Sequence, residues 1–457
     1  MSLLKSLLIP FSEQYANKQR LRAVPVCQIL PFGSYSLGGH LANADIDVVC
    51  LAPSTVKRRE FFYIFANLLR KSHLVKGIEV VERTAVPIIK CSIDSIMTDI
   101  SFVSLKQPSI PPNIKLLDDG YLEGLDSVCL ASMDGPRVNQ FILSKVDLQH
   151  KQVFQQAMQA IKHWATQRCI YGKPMGYLNG GTWTLLLLKT YTQASPESLT
   201  THGLLQAFFC MWAEWPWPVP VMVTDGIPDK RGQTIPYKSL PESETAVMPI
   251  ITPCYPVSFS APFTTLSTLK VMTKEFKRAS LILDSYFDQS ESMLDKLFSE
   301  FDIIRPYKHF LKVVVSCETQ KSHETWIRKM AVAIPRFVTM LEQVDDIITI
   351  HPLTRPVKRI QNYKSIYEKN ALRAGEDSDV AREQSFATAL SPGVLLMTWY
   401  IIGLEVKIPK NEDRVLDICS EVDDFIRTID EKRNSKDIDM TVSVVSMKRR
   451  ETASLLY

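Results

Sequence analysis

The chain has 457 residues, 46% hydrophobic and 22% charged, and its 53 lysines and arginines against 49 aspartates and glutamates give a net charge of +4. Usage of this kind is ordinary for a globular protein, and at about 100–200 residues per domain it implies two to four domains with buried cores. It excludes a mainly disordered chain and a histone-like coat for polyanions, while a localised basic groove remains open.

The nine cysteines, at positions 27, 50, 91, 129, 169, 210, 254, 317 and 419, show neither the close spacing of a zinc site nor a disulfide framework, which implies a reducing compartment. Met1 to Pro10 lacks the long apolar run and small-residue cleavage site of a signal peptide. The longest uncharged run, Thr245 to Leu269, is broken by Pro249, Pro253, Pro256 and Pro262 and could not satisfy its backbone in lipid, so no membrane contact is expected.

Asp45 to Leu51 reads as a strand and Glu60 to Lys71 as an amphipathic helix. Ile88 to Ile93 and Ile96 to Val103 read as a hairpin turned at Asp94-Ser95. From Asp147 to Thr192 the apolar spacing becomes helical, and the Pro-rich stretch Trp215 to Pro262 predicts an extended meander. After Pro306 the pattern predicts strand (309–315), helix (324–341), strand (347–350), a polar loop, strand (394–406), helix (418–429) and strand (440–447). That β-α-β-β-α-β order is the ferredoxin-like arrangement of many RNA-binding modules.

The chemistry is concentrated between Pro31 and Cys50. Asp45 and Asp47 stand at i and i+2 on a strand and point to one face, with Cα atoms roughly 6.6–7 Å apart. Such a pair can lean toward two metal ions about 3.5–4 Å apart, as two-metal phosphoryl chemistry requires. Asp99 on the following hairpin can be brought alongside, and Gly33-Ser34 offers N–H groups and a hydroxyl to anionic oxygens. Alone, an Asp-x-Asp or a Gly-Ser is ordinary strand or turn chemistry. Together they place three carboxylates on apolar strands, which repel one another without a cation, so a metal is implied.

Phe32-Gly-Ser with Ala44-Asp-Ile-Asp47 and Asp99 resembles the nucleotidyltransferase superfamily. The wider pattern resembles the eukaryotic nuclear poly(A) polymerases: Val86 to Lys90, Ala160 to Ala165, Ile170-Tyr171, Gly176 to Gly181 with Trp183, Trp212 to Pro218, Met248 to Pro256, Ser267-Thr268, Tyr307 to His309, and Ile402 to Leu404. The resemblance implies an α+β chain in three parts. These are a mixed-sheet nucleotidyltransferase catalytic domain (21–135), a helical central domain (1–20 with 136–304) and a ferredoxin-like, RRM-like RNA-binding domain (305–457).

It also implies that Asp45, Asp47 and Asp99 hold two Mg²⁺ or Mn²⁺ ions bridging ATP and an RNA 3′-hydroxyl. Phe32, Gly33 and Ser34 would contact the nucleotide and its phosphates, Lys162 and Tyr171 the triphosphate, Gly180 and Gly181 the nucleotide across the cleft, and Thr268 the adenine side. Lys448, Arg449 and Arg450 are candidates for RNA contact or a nuclear signal. The implied activity is template-independent addition of AMP to RNA 3′ ends in the nucleus, beside 3′-end processing proteins. Asp134 and Lys173 depart from the family, which usually carries asparagine at both positions. They suggest a uridylyltransferase as an alternative, and a catalytically silent RNA-binding scaffold is a second one of a different class, against which the presence of all three aspartates argues.

Overall fold

The computed structural model describes the chain except for residues 43, 83, 286–290, 377–392, 408–415, 432, 434–438 and 457. The first third builds a mixed sheet. Helix α1 (Ser2–Gln19) leads to strand β1 (Gln28–Phe32), the short helix α2 (Gly33–Leu37), strand β2 (Ile46–Ala52) and helix α3 (Arg58–Arg70). Strands β3 (Val75–Val81), β4 (Ile88–Ile93) and β5 (Ile96–Ser104) follow, and the sheet order is β1-β2-β5-β4-β3. Only the central β2/β5 pair is parallel. The β4/β5 hairpin turns at Asp94 and Ser95, both at positive φ (49° and 68°), as a two-residue turn matching the strand twist requires.

Alternation along β2 sorts its side chains between two cores. Val48, Cys50 and Ala52 pack with Phe61 and Phe65 of α3, while Val49 and Leu51 pack on the opposite face against Cys129 and Met133. The last two belong to helix α4 (Ser127–Lys145). Asp47 has the parity of Val49, so its carboxylate emerges on the α4 side of the sheet.

The amino-terminal helix corrects one expectation. Residues 1–20 do not join the helical central domain. Leu4, Leu8, Phe11 and Tyr15 form one stripe of α1 that packs into the α3 side of the first sheet, with Phe11 edge-on to Phe61 at 5.3 Å. The stripe's partners are aromatic residues of α3, which fixes where it docks. The expected boundary between residues 135 and 136 falls inside α4, which runs unbroken through it.

The central helices are α5 (Lys151–Gln167), α6 (Gly180–Gln193), α7 (Thr201–Glu214) and α8 (Leu266–Ser285). They enclose Trp164, Trp183, Trp212, Phe208, Phe209 and Phe276. Between α7 and α8 the chain meanders, with one two-residue hairpin, β6 (Ile227–Pro228) and β7 (Thr234–Ile235). The short helix α9 (Glu291–Leu297) follows.

The final third opens with β8 (His309–Cys317), α10 (Gln320–Leu341), β9 (Ile347–Pro352), β10 (Val357–Tyr363) and α11 (Ile366–Ala374). It closes with β11 (Gly393–Val406), the helix Cys419–Asp430 (α12 here), β12 (Thr441–Lys448) and the helix Arg449–Leu456 (α13 here). β12 pairs β8, β8 pairs β11, and β9 pairs the last third of β11, which is the ferredoxin-like order. The expected polar loop before β11 contains structure: β10 adds itself to the first half of β11, and α11 caps it. The remainder of that loop, 377–392, lies outside the described residues.

Candidate active site

The sheet register assembles the acidic cluster. Asp47 is the Cα partner of Asp99 across the parallel β2/β5 pair, and Phe32 at the end of β1 is its partner on the other side. Paired residues in neighbouring strands point to one face, and Asp45 shares that face two residues earlier. Oxygens of Asp45, Asp47 and Asp99 lie within 4.8 Å of one another. Burial, reinforced by the charges of Asp45 and Asp99, pushes the Asp47 carboxyl up to about 7. Such crowding is what a divalent cation would relieve, and oxygen donors suit Mg²⁺ or Mn²⁺, so the residues present fit a metal site. Lys90, opposite Asp99 on β4, donates to its carboxylate at 3.0 Å and holds it from the far side.

Gly33 lies at φ +67°, and a Cβ there would stand 2.6 Å from Asp47 Oδ2, so only glycine lets the turn after β1 pass this close to the carboxylate. The central domain supplies the opposite wall. Gln155, Gln159 and Lys162 lie on one face of α5, donating to the carbonyls of Leu37, Gly38 and Gly39 at 2.8, 3.3 and 3.2 Å. Lys162 is only 4% exposed, and burial brings its ammonium down to about 8 against the pull of Asp47. A Cβ on Gly180 would meet the Tyr171 hydroxyl at 2.7 Å and Lys162 Cε at 3.4 Å, so these three groups converge at the start of α6. Asn179 caps that helix, accepting from the Thr182 amide at 3.0 Å.

Three cavities follow one another across this region. The first, of about 460 Å³, is lined by Phe32, Gly33, Ser34, Asp45, Asp47, Lys162, Tyr171, Gly180 and Gly181, and also by Asp134 and Lys173. The second, also about 460 Å³, shares Ser34, Asp45, Lys162 and Tyr171 with it and adds Lys90 and Asp99. The third shares Lys90 with the second and runs between the first sheet and the last domain, past His323, Arg328, Lys358 and Arg359. Arg328 spans this cleft to Glu79 at 2.9 Å. The junction of the first two cavities is where a phosphorus could meet two reacting groups, with the carboxylates on one side and Lys162 on the other.

The full length of the chain falls in step with one family. It matches the "Poly(A) polymerase nucleotidyltransferase domain" over residues 2–146, the "Poly(A) polymerase central domain" over 153–300 and the "Poly(A) polymerase predicted RNA binding domain" over 303–457. The chain belongs to the poly(A) polymerase family. Among curated relatives of this family, poly(A) polymerase pla1 of Schizosaccharomyces pombe is 31% identical over 361 residues, which are 78% of this chain and 62% of pla1. Poly(A) polymerase PAPalpha of Candida albicans is 30% identical over 415 residues, 86% of this chain and 72% of the relative. A solved structure of Cid1 in complex with its short product ApU is similar at a TM-score of 0.43 and 17% identity, covering 66% of this chain and 91% of Cid1, a likeness too slight to bear on function.

Within the family frame, the structure brings Asp45, Asp47, Asp99, Phe32, Gly33, Ser34, Lys162, Tyr171, Gly180 and Gly181 to one place. Thr268 it leaves out. That residue is fully buried and spends its hydroxyl on Thr265 at the start of α8, and Thr252 and Ser260 line the first cavity instead. Lys448, Arg449 and Arg450 are left out too. Lys448 pairs with His309 at one end of β8, whereas the third cavity opens near Gln320, past the other end. Arg449 donates to the carbonyls of Tyr307 and Arg305 at 2.9 and 3.0 Å, a cap on the domain. The cations of the third cavity went unmarked in sequence, because Arg328, Lys358 and Arg359 come from a helix and a strand with no shared motif.

No described helix is long and apolar enough to cross a membrane.

Proposed function

We propose that this chain transfers AMP from ATP to the 3′-hydroxyl of RNA, without a template and with release of pyrophosphate. The observation that carries the reading is the junction of the first two cavities at Ser34, Asp45, Lys162 and Tyr171, with Asp47 on the nucleotide side and Asp99 on the other. The 3′-oxygen forms a bond to the α-phosphorus, the bond to pyrophosphate breaks, and the hydroxyl proton passes to water. For such a displacement, alignment and charge supply most of the catalysis.

Asp45, Asp47 and Asp99 would hold Mg²⁺ or Mn²⁺, which when bound supply Lewis-acid charge to the phosphate and to the attacking oxygen. Lys162 presents its ammonium, and Tyr171 its hydroxyl, where the triphosphate would pass Gly180. Phe32 offers its ring to the nucleotide. Its seat is Gly135 on α4, where a Cβ would come within 2.8 Å of the ring. Lys90 keeps Asp99 turned toward the second cavity, where the 3′ end enters. The RNA itself would run on through the third cavity, along Arg328, Lys358 and Arg359. Messenger RNA 3′-end processing in the nucleus, in company with other processing proteins, is the setting this activity suits.

The test is extension of an oligo(A) primer with each of the four NTPs in Mg²⁺ and in Mn²⁺. Extension with ATP, accompanied by pyrophosphate and abolished by a chelator, is expected. Equal or better use of UTP, or no extension with any nucleotide, overturns the reading.

A further inference from the structure

Asp134 is out of place on electrostatic grounds. It lines the cavity proposed for a nucleoside triphosphate, adding a carboxylate to a site that already holds Asp45 and Asp47 and must admit a polyanion. Its Oδ1 is buried and has no hydrogen-bond partner. A buried, unpaired carboxylate is strongly unfavourable, so something nearby must offset it. Arg137, one turn on along α4, is the nearest candidate in sequence, but both of its terminal nitrogens are taken and only its Nε has no partner. Fully buried, it donates to the carbonyls of Leu116 and Asp118 and to the Asp119 carboxylate. Of the two lysines that line the same cavity, Lys162 is drawn to Asp47 and donates to the Gly39 carbonyl, which leaves Lys173, on the turn after Tyr171. Of the charges acting on Asp134, that of Lys173 is the stronger, ahead of Arg137; burial pushes the carboxyl up to about 6 and lowers the Lys173 ammonium.

We propose that Asp134 and Lys173 work as one charge-compensated unit in the nucleotide cavity, Lys173 being a positioning residue whose task is to neutralise Asp134 so that a nucleoside triphosphate is admitted. The pair crosses the domain junction, with Asp134 on the helix shared with the first sheet and Lys173 on a turn of the central domain. The inference rests on the proposed function only in taking a nucleoside triphosphate as the ligand of this cavity.

The dependence of one residue on the other is what distinguishes this from two separate contacts. Lys173→Met keeps the length of the side chain and removes its charge. It should raise the KM for ATP and the Kd of a non-hydrolysable ATP analogue about tenfold, the effect of one unscreened charge at a partly buried site, and leave kcat within about threefold. In the D134N background the same substitution should change both constants less than about threefold. Asp134→Asn alone should leave the Kd unchanged or lower it, and Lys173→Arg should behave as wild type.

Equal loss in both backgrounds overturns the proposal, since Lys173 would then serve the nucleotide directly, and so does no loss in either. Should Lys173→Met fail to fold, a tenfold rise in Kd on Asp134→Asn alone overturns it. The Kd measurement needs no turnover, so a wild-type chain that binds the analogue but extends no primer would sink the proposed reaction while leaving this cycle readable.

Discussion

Asp47 and Asp99 sit directly opposite each other on the two parallel strands at the centre of the first sheet, and each has a further charged neighbour, Asp45 beside one and Lys90 beside the other. Replacing Asp99 with asparagine should lower turnover by at least about 10²-fold, the scale of losing a positioned charge-stabilising group. Thermal unfolding gives the second readout. Mg²⁺ or Mn²⁺ should raise the wild-type Tm by mass action and raise that of Asp99→Asn much less, while the metal-free variant should differ little from wild type, having lost both a repulsion with Asp47 and the ion pair with Lys90. A variant that keeps the metal-dependent rise would remove Asp99 from the metal site.

Gly33→Ala probes the approach of the turn to Asp47. The added Cβ would stand 2.6 Å from the carboxylate at a backbone φ of +67°. The left-handed conformation costs about 1–2 kcal/mol with a side chain present, a modest drop in Tm. Displacement of Asp47 should cost more, at least about tenfold in kcat. Activity close to wild type would show that the carboxylate tolerates movement.

The Lys162 ammonium, brought down to about 8, sets an alkaline limit. As pH rises through that value the free enzyme loses the charge, so kcat/KM for ATP should fall above about pH 8, by up to tenfold per pH unit. Lys162→Arg stays charged throughout and should flatten this limb even where it lowers the maximum. A limb unchanged in that variant would assign the titration to another group.

RNA affinity should follow the third cavity rather than the end of the last strand. Lys358→Ala and Arg359→Ala should each weaken binding of an oligo(A) strand and reduce the slope of log K against log salt by about one. Lys448→Ala with Arg450→Ala should leave the slope unchanged. The reverse pattern would move the RNA track to the far edge of the last sheet.

His351 makes the assembly sensitive to acid. Fully buried between Tyr177, Phe301 and Tyr307, with Nδ1 2.9 Å from the Tyr307 hydroxyl, it is held down to about 3 by burial. Its folded pKa lies below the unfolded value, so the unfolded chain binds the extra proton and stability falls as pH drops below about 6.5. The loss should reach about 2 kcal/mol at pH 5. His351→Gln should be less stable at pH 7 but lose less between pH 7 and 5, as denaturant titrations at the two values would show. An identical pH slope would clear His351 of the effect.

The acidic cluster was legible in part because two of its carboxylates are local, whereas Asp99 joins them only through the non-local pairing of β2 with β5. The i, i+2 spacing of Asp45 and Asp47 and the two-residue turn at Asp94-Ser95 fix strand faces, and face is what decides whether carboxylates meet. The ferredoxin-like order was legible from periodicity, except that β10 and α11 hide in a charged stretch. There Lys358, Arg359 and Ile360 are all exposed, so no alternation marks the strand. The docking of α1 could not be read, since its apolar stripe fits any helical or sheet surface and only the aromatic side chains of α3 select one. Thr268 and the Lys448 to Arg450 run stand apart from the cavities for a related reason: a motif fixes residue type, while the direction a side chain faces depends on packing far along the chain.

Helix α4 has a consequence for how this molecule can be taken apart. It begins against the first sheet, passes Phe32 at Gly135, and ends near the central helices, contributing Asp134, Val138, Asn139 and Ile142 to the nucleotide cavity on the way. A cut at the expected boundary would leave half a helix on each fragment and divide the binding cavity between them. The three carboxylates therefore do not make a transplantable module. An excised sheet would keep its acidic cluster and lose the wall that gives it a substrate.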